Sequence, residues 1–253
     1  MQTLRLYLED IDGDWFGWIE MFPGAFSQGP TSQAAAQAAP VALIDYMEWL
    51  RTHDVPSPTH LQRVGSAELR VEIVETYHAQ RTASGHEING FFGPDARPVE
   101  DEDLERYLSL LACARADLRK AVRAIPPESL DTAHFGERSV SSLLKHLADT
   151  ELFGLSCLRL APQMPIEDDA MQWLETVRQE FVRAVQSAPM SRRSDIFTVQ
   201  NERWSLRKLL RRTLGHERFH AAQIARRSNP VAFLQTALAD MRLWDEGVHA
   251  RVS

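Results

Sequence analysis

Leu4, Leu6 and Leu8 alternate with Arg5 and Tyr7, the two-residue period of a strand with one apolar face. Ile11-Asp12-Gly13-Asp14 carries a hairpin-turn signal, and Trp15-Phe16-Gly17-Trp18-Ile19 reads as an aromatic second strand that stops at Pro23-Gly24. Ala25-Phe26-Ser27 is a short third stretch before Gln28-Gly29-Pro30. Thr31 is a good N-cap for a helix over 32–52. Pro40 lies inside that helix and predicts a kink, because proline costs roughly 3 kcal/mol in a helix interior. Leu69, Val71, Ile73 and Val74 suggest a further strand. Gly85, Gly90, Gly93, Pro94 and Pro98 then read as a linker.

Beyond residue 100 the period becomes helical. Leu104, Leu108, Leu111, Arg115 and Leu118 share a face of a helix over 102–123, which Pro126-Pro127 ends. Ser139 caps a second helix to about 160, with Val140, Leu143, Leu144, Leu147 and Phe153 apolar. A third runs over 168–186 on Met171, Leu174, Val177, Phe181 and Val185. A fourth runs over 205–227 on Leu206, Leu209, Leu210 and Ile224, and a last helix over 231–247 packs across the others. The expected division is an α+β domain at 1–85, a linker at 86–100 and an all-α four-helix bundle with a C-terminal helix at 101–253.

Composition changes little in this picture. No run approaches the length of a membrane span, and the first residues show no secretory signal. Cys113 and Cys157 are far apart and form no Cys-x-x-Cys, so a reducing cytoplasm is the expected location. Residues 1–95 carry five arginines, no lysine and thirteen acidic residues, an imbalance that argues against nucleic acid as a partner of this half.

Six of the nine histidines, His53, His60, His78, His86, His134 and His249, fall at loops, element ends or isolated positions and are assigned no role. His216 and His220 differ, since four residues apart on a helix they lie on one face. His146 sits beside the core positions Leu143, Leu144 and Leu147 of another helix. Three neutral imidazoles suit one divalent transition metal, zinc or nickel first, and leave a coordination position open.

Phe22-Pro23-Gly24-Ala25-Phe26-Ser27-Gln28-Gly29-Pro30-Thr31, followed by the alanine-rich helix ending in Asp45-Tyr46-Met47-Glu48-Trp49-Leu50, resembles the N-terminal domain of HicB-like antitoxins over about the first 80 residues. Members often carry a DNA-binding element after this domain; here the helical segment stands in that place, and an interaction or dimerisation module is the plainer reading. Ser139-Val140-Ser141-Ser142-Leu143-Leu144-Lys145-His146-Leu147-Ala148-Asp149, with Trp204-Ser205-Leu206-Arg207-Lys208-Leu209-Leu210 and Gly215-His216-Glu217-Arg218-Phe219-His220-Ala221-Ala222-Gln223-Ile224, resembles the DinB-like superfamily over roughly 100–230. That resemblance implies an up-down-down-up bundle, often a homodimer, with a metal held at His146, His216 and His220. The superfamily includes thiol-dependent S-transferases and a maleylpyruvate isomerase.

The expected function is therefore a metal-dependent enzyme acting on a small molecule, with transfer of a low-molecular-weight thiol to an electrophile as the first chemistry to test. A non-catalytic metal- or ligand-binding module is the alternative. Asp149 could orient a ligand, Glu217 lies about 100° round the helix from His216, and Gln223 follows His220 by one turn; these three are the supporting candidates. Cys157 reads either as a thiol on the His146 face or as a buried inert one. His216-Glu217-Arg218-Phe219-His220 also spells H-E-x-x-H, the zinc-protease motif, in which the glutamate is the general base. Against a protease stand the charged Arg218 between the ligands and the unfamiliar spacing to the downstream candidates Glu246 and His249.

Overall fold

The computed structural model describes residues 2–11, 13–56, 68–82, 87–133 and 138–228. The expected helix at 231–247, with Glu246, His60, His86, His134 and His249, lies outside the described residues.

Strands β1 (Gln2–Ile11), β2 (Asp14–Ile19) and β3 (Phe26–Gly29) are followed by helix α1 (Ser32–Thr52) and strand β4 (Leu69–His78). The sheet order is β3-β2-β1-β4, with β1 antiparallel to β2, β2 antiparallel to β3, and β4 parallel to β1. A parallel pair needs a crossover, and α1 supplies it. Thr31 caps α1 by accepting from the Ala34 amide, and α1 runs unbroken through Pro40.

Both faces of the sheet are covered. Leu4, Leu6, Leu8 and Ile19 pack against Ala35, Ala39, Leu43, Tyr46 and Leu50 of α1. On the other face Tyr7 and Trp18 pack on Phe92. Strand alternation marks the leucine face alone as buried, yet Tyr7, Glu9 and Trp18 on the other face are buried too, their polar tips satisfied by partners. Glu9, wholly buried, accepts from Trp18 Nε1 at 3.0 Å and from the Gly90 amide at 2.6 Å.

The glycine- and proline-rich segment after β4 carries short elements of its own. Residues 87–100 contain β6 (Glu87–Ile88), paired with β5 (Gln80–Arg81), and one helical turn at Gly93–Ala96. Phe92, Asp95 and Val99 are buried. Glycine and proline here shape a packed connection, where a Cβ on Gly90 would come within 2.8 Å of the Phe92 ring.

Four long helices follow: α2 (Asp101–Arg123), α3 (Val140–Cys157), α4 (Ala170–Gln186) and α5 (Leu206–Ser228). A hairpin of β7 (Phe197–Val199) and β8 (Glu202–Trp204), not anticipated from the pattern, precedes α5. Its turn residues Gln200 and Asn201 both take positive φ, as tight two-residue hairpins require. Helices α2 and α5 run the same way, with Asp103 against Arg207 and Arg115 against Glu217. Helix α3 opposes α5, with His146 against His216 and Gly154 against Leu209. Helix α4 opposes α2, with Arg119 against Glu175 and the Leu111 carbonyl against Arg178.

Between the helices lies a quartet of buried charges, one from each. Arg115 and Arg178 both donate to Glu217, and both bond Glu151, at 3.2 Å from Arg115 and 2.6 Å from Arg178. Burial works against the charge on Arg178, but Glu151 and Glu217 hold its pKa above the ordinary arginine value. Removing one member leaves an uncompensated buried charge. Glu151→Gln is expected to destabilise the fold by roughly 3–5 kcal/mol in urea titration, and a loss under about 1 kcal/mol would contradict this account.

The sheet docks on α5 through close packing and arginines. Arg211 bonds Asp95 at 2.7 and 3.0 Å, and Arg218 donates to the Gly24 carbonyl beneath the rings of Tyr46 and Trp49. Helix α1 reaches α2 through Trp49 Nε1 on Asp117 at 2.6 Å. A Cβ on Gly215 would sit 2.4 Å from the Trp18 ring, which is rigid and hemmed in. Gly215→Ala is accordingly expected to cost about 1–3 kcal/mol by the same measurement, and an unchanged or raised midpoint would contradict so tight an approach.

Candidate metal centre

Ser139 starts α3 by accepting from the Ser142 amide at 3.2 Å, which sets where its turns begin. His146 follows two turns later, flanked by the buried Leu143 and Leu147. Opposite it, α5 presents His216 and His220 on one face. The approach of α3 to α5 is tight at Gly154, where a Cβ would fall 2.3 Å from Leu209 Cδ1.

The three imidazoles converge through their Nε2 atoms. His146 Nε2 lies 3.2 Å from His216 Nε2, which lies 2.9 Å from His220 Nε2. A metal about 2.0–2.1 Å from each nitrogen in tetrahedral geometry would space the nitrogens roughly 3.3 Å apart. The observed spacing is close to that, and the donor set suits zinc or another borderline transition ion. All three potential donor atoms lie within 4.8 Å of one another, and among the described residues no fourth side chain joins the group.

The electrostatics keep these rings neutral. Burial lowers the pKa of His146, with Arg138 adding to the effect and Asp149 opposing it. Burial and the neighbouring imidazoles push His216 well below its ordinary value. Burial takes His220 down to about 4, against the hydrogen bond it makes to Gln223. That bond joins His220 Nδ1 to Gln223 Oε1 at 2.7 Å. A carbonyl oxygen only accepts, so Nδ1 carries the proton and Nε2 keeps its lone pair for the centre.

The open side of the group faces a cavity of about 660 Å³. Its walls come from both halves of the chain: Phe16, Trp18 and Phe26 of the sheet, Phe153 of α3, Trp204 of β8 and Phe219 of α5. Glu202 and Arg212 also line it. Glu202 is held by the fully buried Lys208 at 2.7 Å, and Arg212 lies 3.4 Å from Glu9.

The supporting candidates separate. Gln223 hydrogen-bonds the His220 ring. Asp149, exposed, lines the cavity and accepts weakly from Trp173 Nε1 at 3.4 Å. Glu217 is neither a surface carboxylate nor a neighbour of the cavity; it is 1% exposed and bound by Arg115 and Arg178. The 100° turn that separates it from His216 carries it into the ion quartet. Cys157 is a buried core thiol whose pKa burial raises to about 11, and it is absent from the cavity lining. The aromatic wall was not anticipated. Its signal was present, since Phe16 and Trp18 are two residues apart in one strand and so share a face, but nothing in the sequence said what that face meets.

Residues 110–224 match the family model described as the DinB superfamily, a span that holds all three histidines and leaves the sheet outside. No curated protein matches, and no solved structure matches. No described helix is long and apolar enough to cross a membrane.

The depressed histidine pKa values fix a sign for pH dependence. The unfolded chain takes up protons near the ordinary value of 6.5, whereas folded His220 resists until about 4. Stability of the metal-free protein is therefore expected to be complete above pH 6.5 and to fall as pH drops from 6.5 towards 4. Urea midpoints in chelator across that range, compared with His220→Ala, check this. The variant should show a shallower fall, and matching slopes would contradict the assignment.

Proposed function

We propose that the chain is a metal-dependent enzyme of DinB type acting on a small molecule, and that its reaction transfers a low-molecular-weight thiol to an electrophile. The observation that carries this reading is the convergence of three neutral Nε2 donors whose open side faces a cavity, with no fourth side-chain donor joining them among the described residues. A divalent transition metal there, zinc or nickel first, supplies Lewis acidity and lowers the pKa of a thiol that reaches it.

The chain's own residues do the rest. His146, His216 and His220 would hold the ion, and Gln223 keeps His220 in the tautomer that leaves Nε2 free. The aromatic walls exclude water from the reacting pair. Asp149, which lines the cavity three residues after His146, would receive the thiol proton. The sulfur forms a bond to the electrophilic carbon, the leaving group departs with the bonding pair, and the proton passes to that group or to solvent.

The helix directions described above support reading α2–α5 as an up-down-down-up, DinB-type four-helix bundle. The strand-strand-strand-helix-strand order supports reading the N-terminal part as a HicB-like module. A zincin mechanism finds no support, because Glu217 is bound by two arginines inside the helix core.

The test is metal content and thiol chemistry on the same preparations. Wild type should hold about one ion per chain, and His146→Ala, His216→Ala and His220→Ala should lose it while folded. Metal-loaded wild type should consume test electrophiles only with a thiol present, and the variants should not. Bound metal without thiol-dependent consumption, across several thiols, removes the transfer reaction and leaves the centre. No metal after supplementation removes both.

A further inference from the structure

The second face of the sheet has more to do than dock on α5. Phe26, Phe16 and Phe219 form a run of rings that ends on a histidine of the centre: Phe26 to Phe16 at 6.0 Å, Phe16 to Phe219 at 5.8 Å, and Phe219 to His220 at 5.2 Å. All three phenylalanines are half-buried and line the cavity, so they keep apolar area turned to whatever enters it. Phe153 and Trp204, packed edge to face at 5.9 Å, line the same space from α3 and β8.

Charge on these walls is largely engaged within the protein. Glu202 is paired with Lys208, Arg81 with Glu87 at 3.2 Å, and Arg212 lies beside Glu9. What the cavity offers a ligand is chiefly flat aromatic surface beside three convergent nitrogens, with Asp14, Arg138 and Asp149 as further charged lining. Aromatic faces reward a planar apolar partner through offset or edge-to-face contact as well as burial. The volume of about 660 Å³ is that of a pocket for an organic molecule of several rings or fewer.

We propose that the N-terminal sheet is the specificity wall of the metal centre, selecting a small molecule that carries a metal-binding donor atom on a flat, aromatic body. The inference rests on the three-histidine reading above and adds the substrate class to it. It makes Phe16 and Phe219 specificity-determining residues and gives the fused domain a part in the site itself.

Benzohydroxamate and acetohydroxamate carry the same metal-binding group on an aromatic and an aliphatic body. The experiment titrates each into the full-length protein loaded with cobalt(II), reading the visible absorption of the ion. Wild type is expected to bind benzohydroxamate at least about tenfold more tightly than acetohydroxamate. Phe16→Leu and Phe219→Leu keep apolar bulk and remove the flat face, so they protect the fold better than alanine. Each should cut the preference, read as the ratio of the two affinities, at least about threefold. Equal affinities in wild type, or a preference that both variants retain, overturn the proposal. A wild type that takes up no cobalt overturns the metal reading, and this inference with it.

Discussion

Two arginines from different helices clamp one glutamate of α5, and the rotation of that helix follows from the clamp. Glu217 bonds Arg115 of α2 and Arg178 of α4 in the interior, where turning outward would leave two buried cations to share Glu151. With successive residues about 100° apart, fixing Glu217 fixes its neighbours. His216 and His220 then face α3, where His146 waits, and Gly215 faces Trp18 of the sheet. The quartet adds little to stability compared with a well-packed apolar core, but losing any one member is costly. Such an arrangement serves geometry, and here the geometry is that of three imidazoles meeting at one point.

The same helix joins the two halves of the chain. One side of α5 supplies metal-ligand candidates and another meets the sheet through Gly215, Arg211 and Arg218. The cavity beside the histidines is bounded by residues of β2, β3, α3, β8 and α5. A shift of the sheet against α5 would therefore change the shape of the cavity directly. The N-terminal part is built into the site.

Within about a dozen residues, α5 treats buried ionisable groups in three ways. His216 and His220 are neutral because burial is opposed by no carboxylate, which is the state a metal ligand needs. Arg211 keeps its charge because Asp95 offsets the loss of solvent. Lys208, fully buried over Trp204 and bound to Glu202, is pushed down to about 8 by burial, and the carboxylate recovers only part of that shift. Each outcome follows from the partner that the tertiary structure delivers.

The sequence by itself determined the longer elements among the described residues and the ligand candidates. Alternation at Leu4, Leu6 and Leu8, the caps Thr31 and Ser139, and the helical stripes of 101–228 are local signals, because each depends on residues within a few positions of one another. The pairing of His216 with His220 is local for the same reason. Tertiary structure alone decided which neighbours met. Glu217 could not be placed from its own helix, since one residue of rotation separates a metal-site carboxylate from a core ion pair, and Arg115 and Arg178 lie far away in the chain. Residues 87–100 look like a linker in composition, yet packing buries Asn89, Phe92, Asp95 and Val99 among them. The aromatic face of β2 could have met solvent, a partner or a helix; it became a wall of the cavity because Gly215 lets α5 come close enough to enclose it.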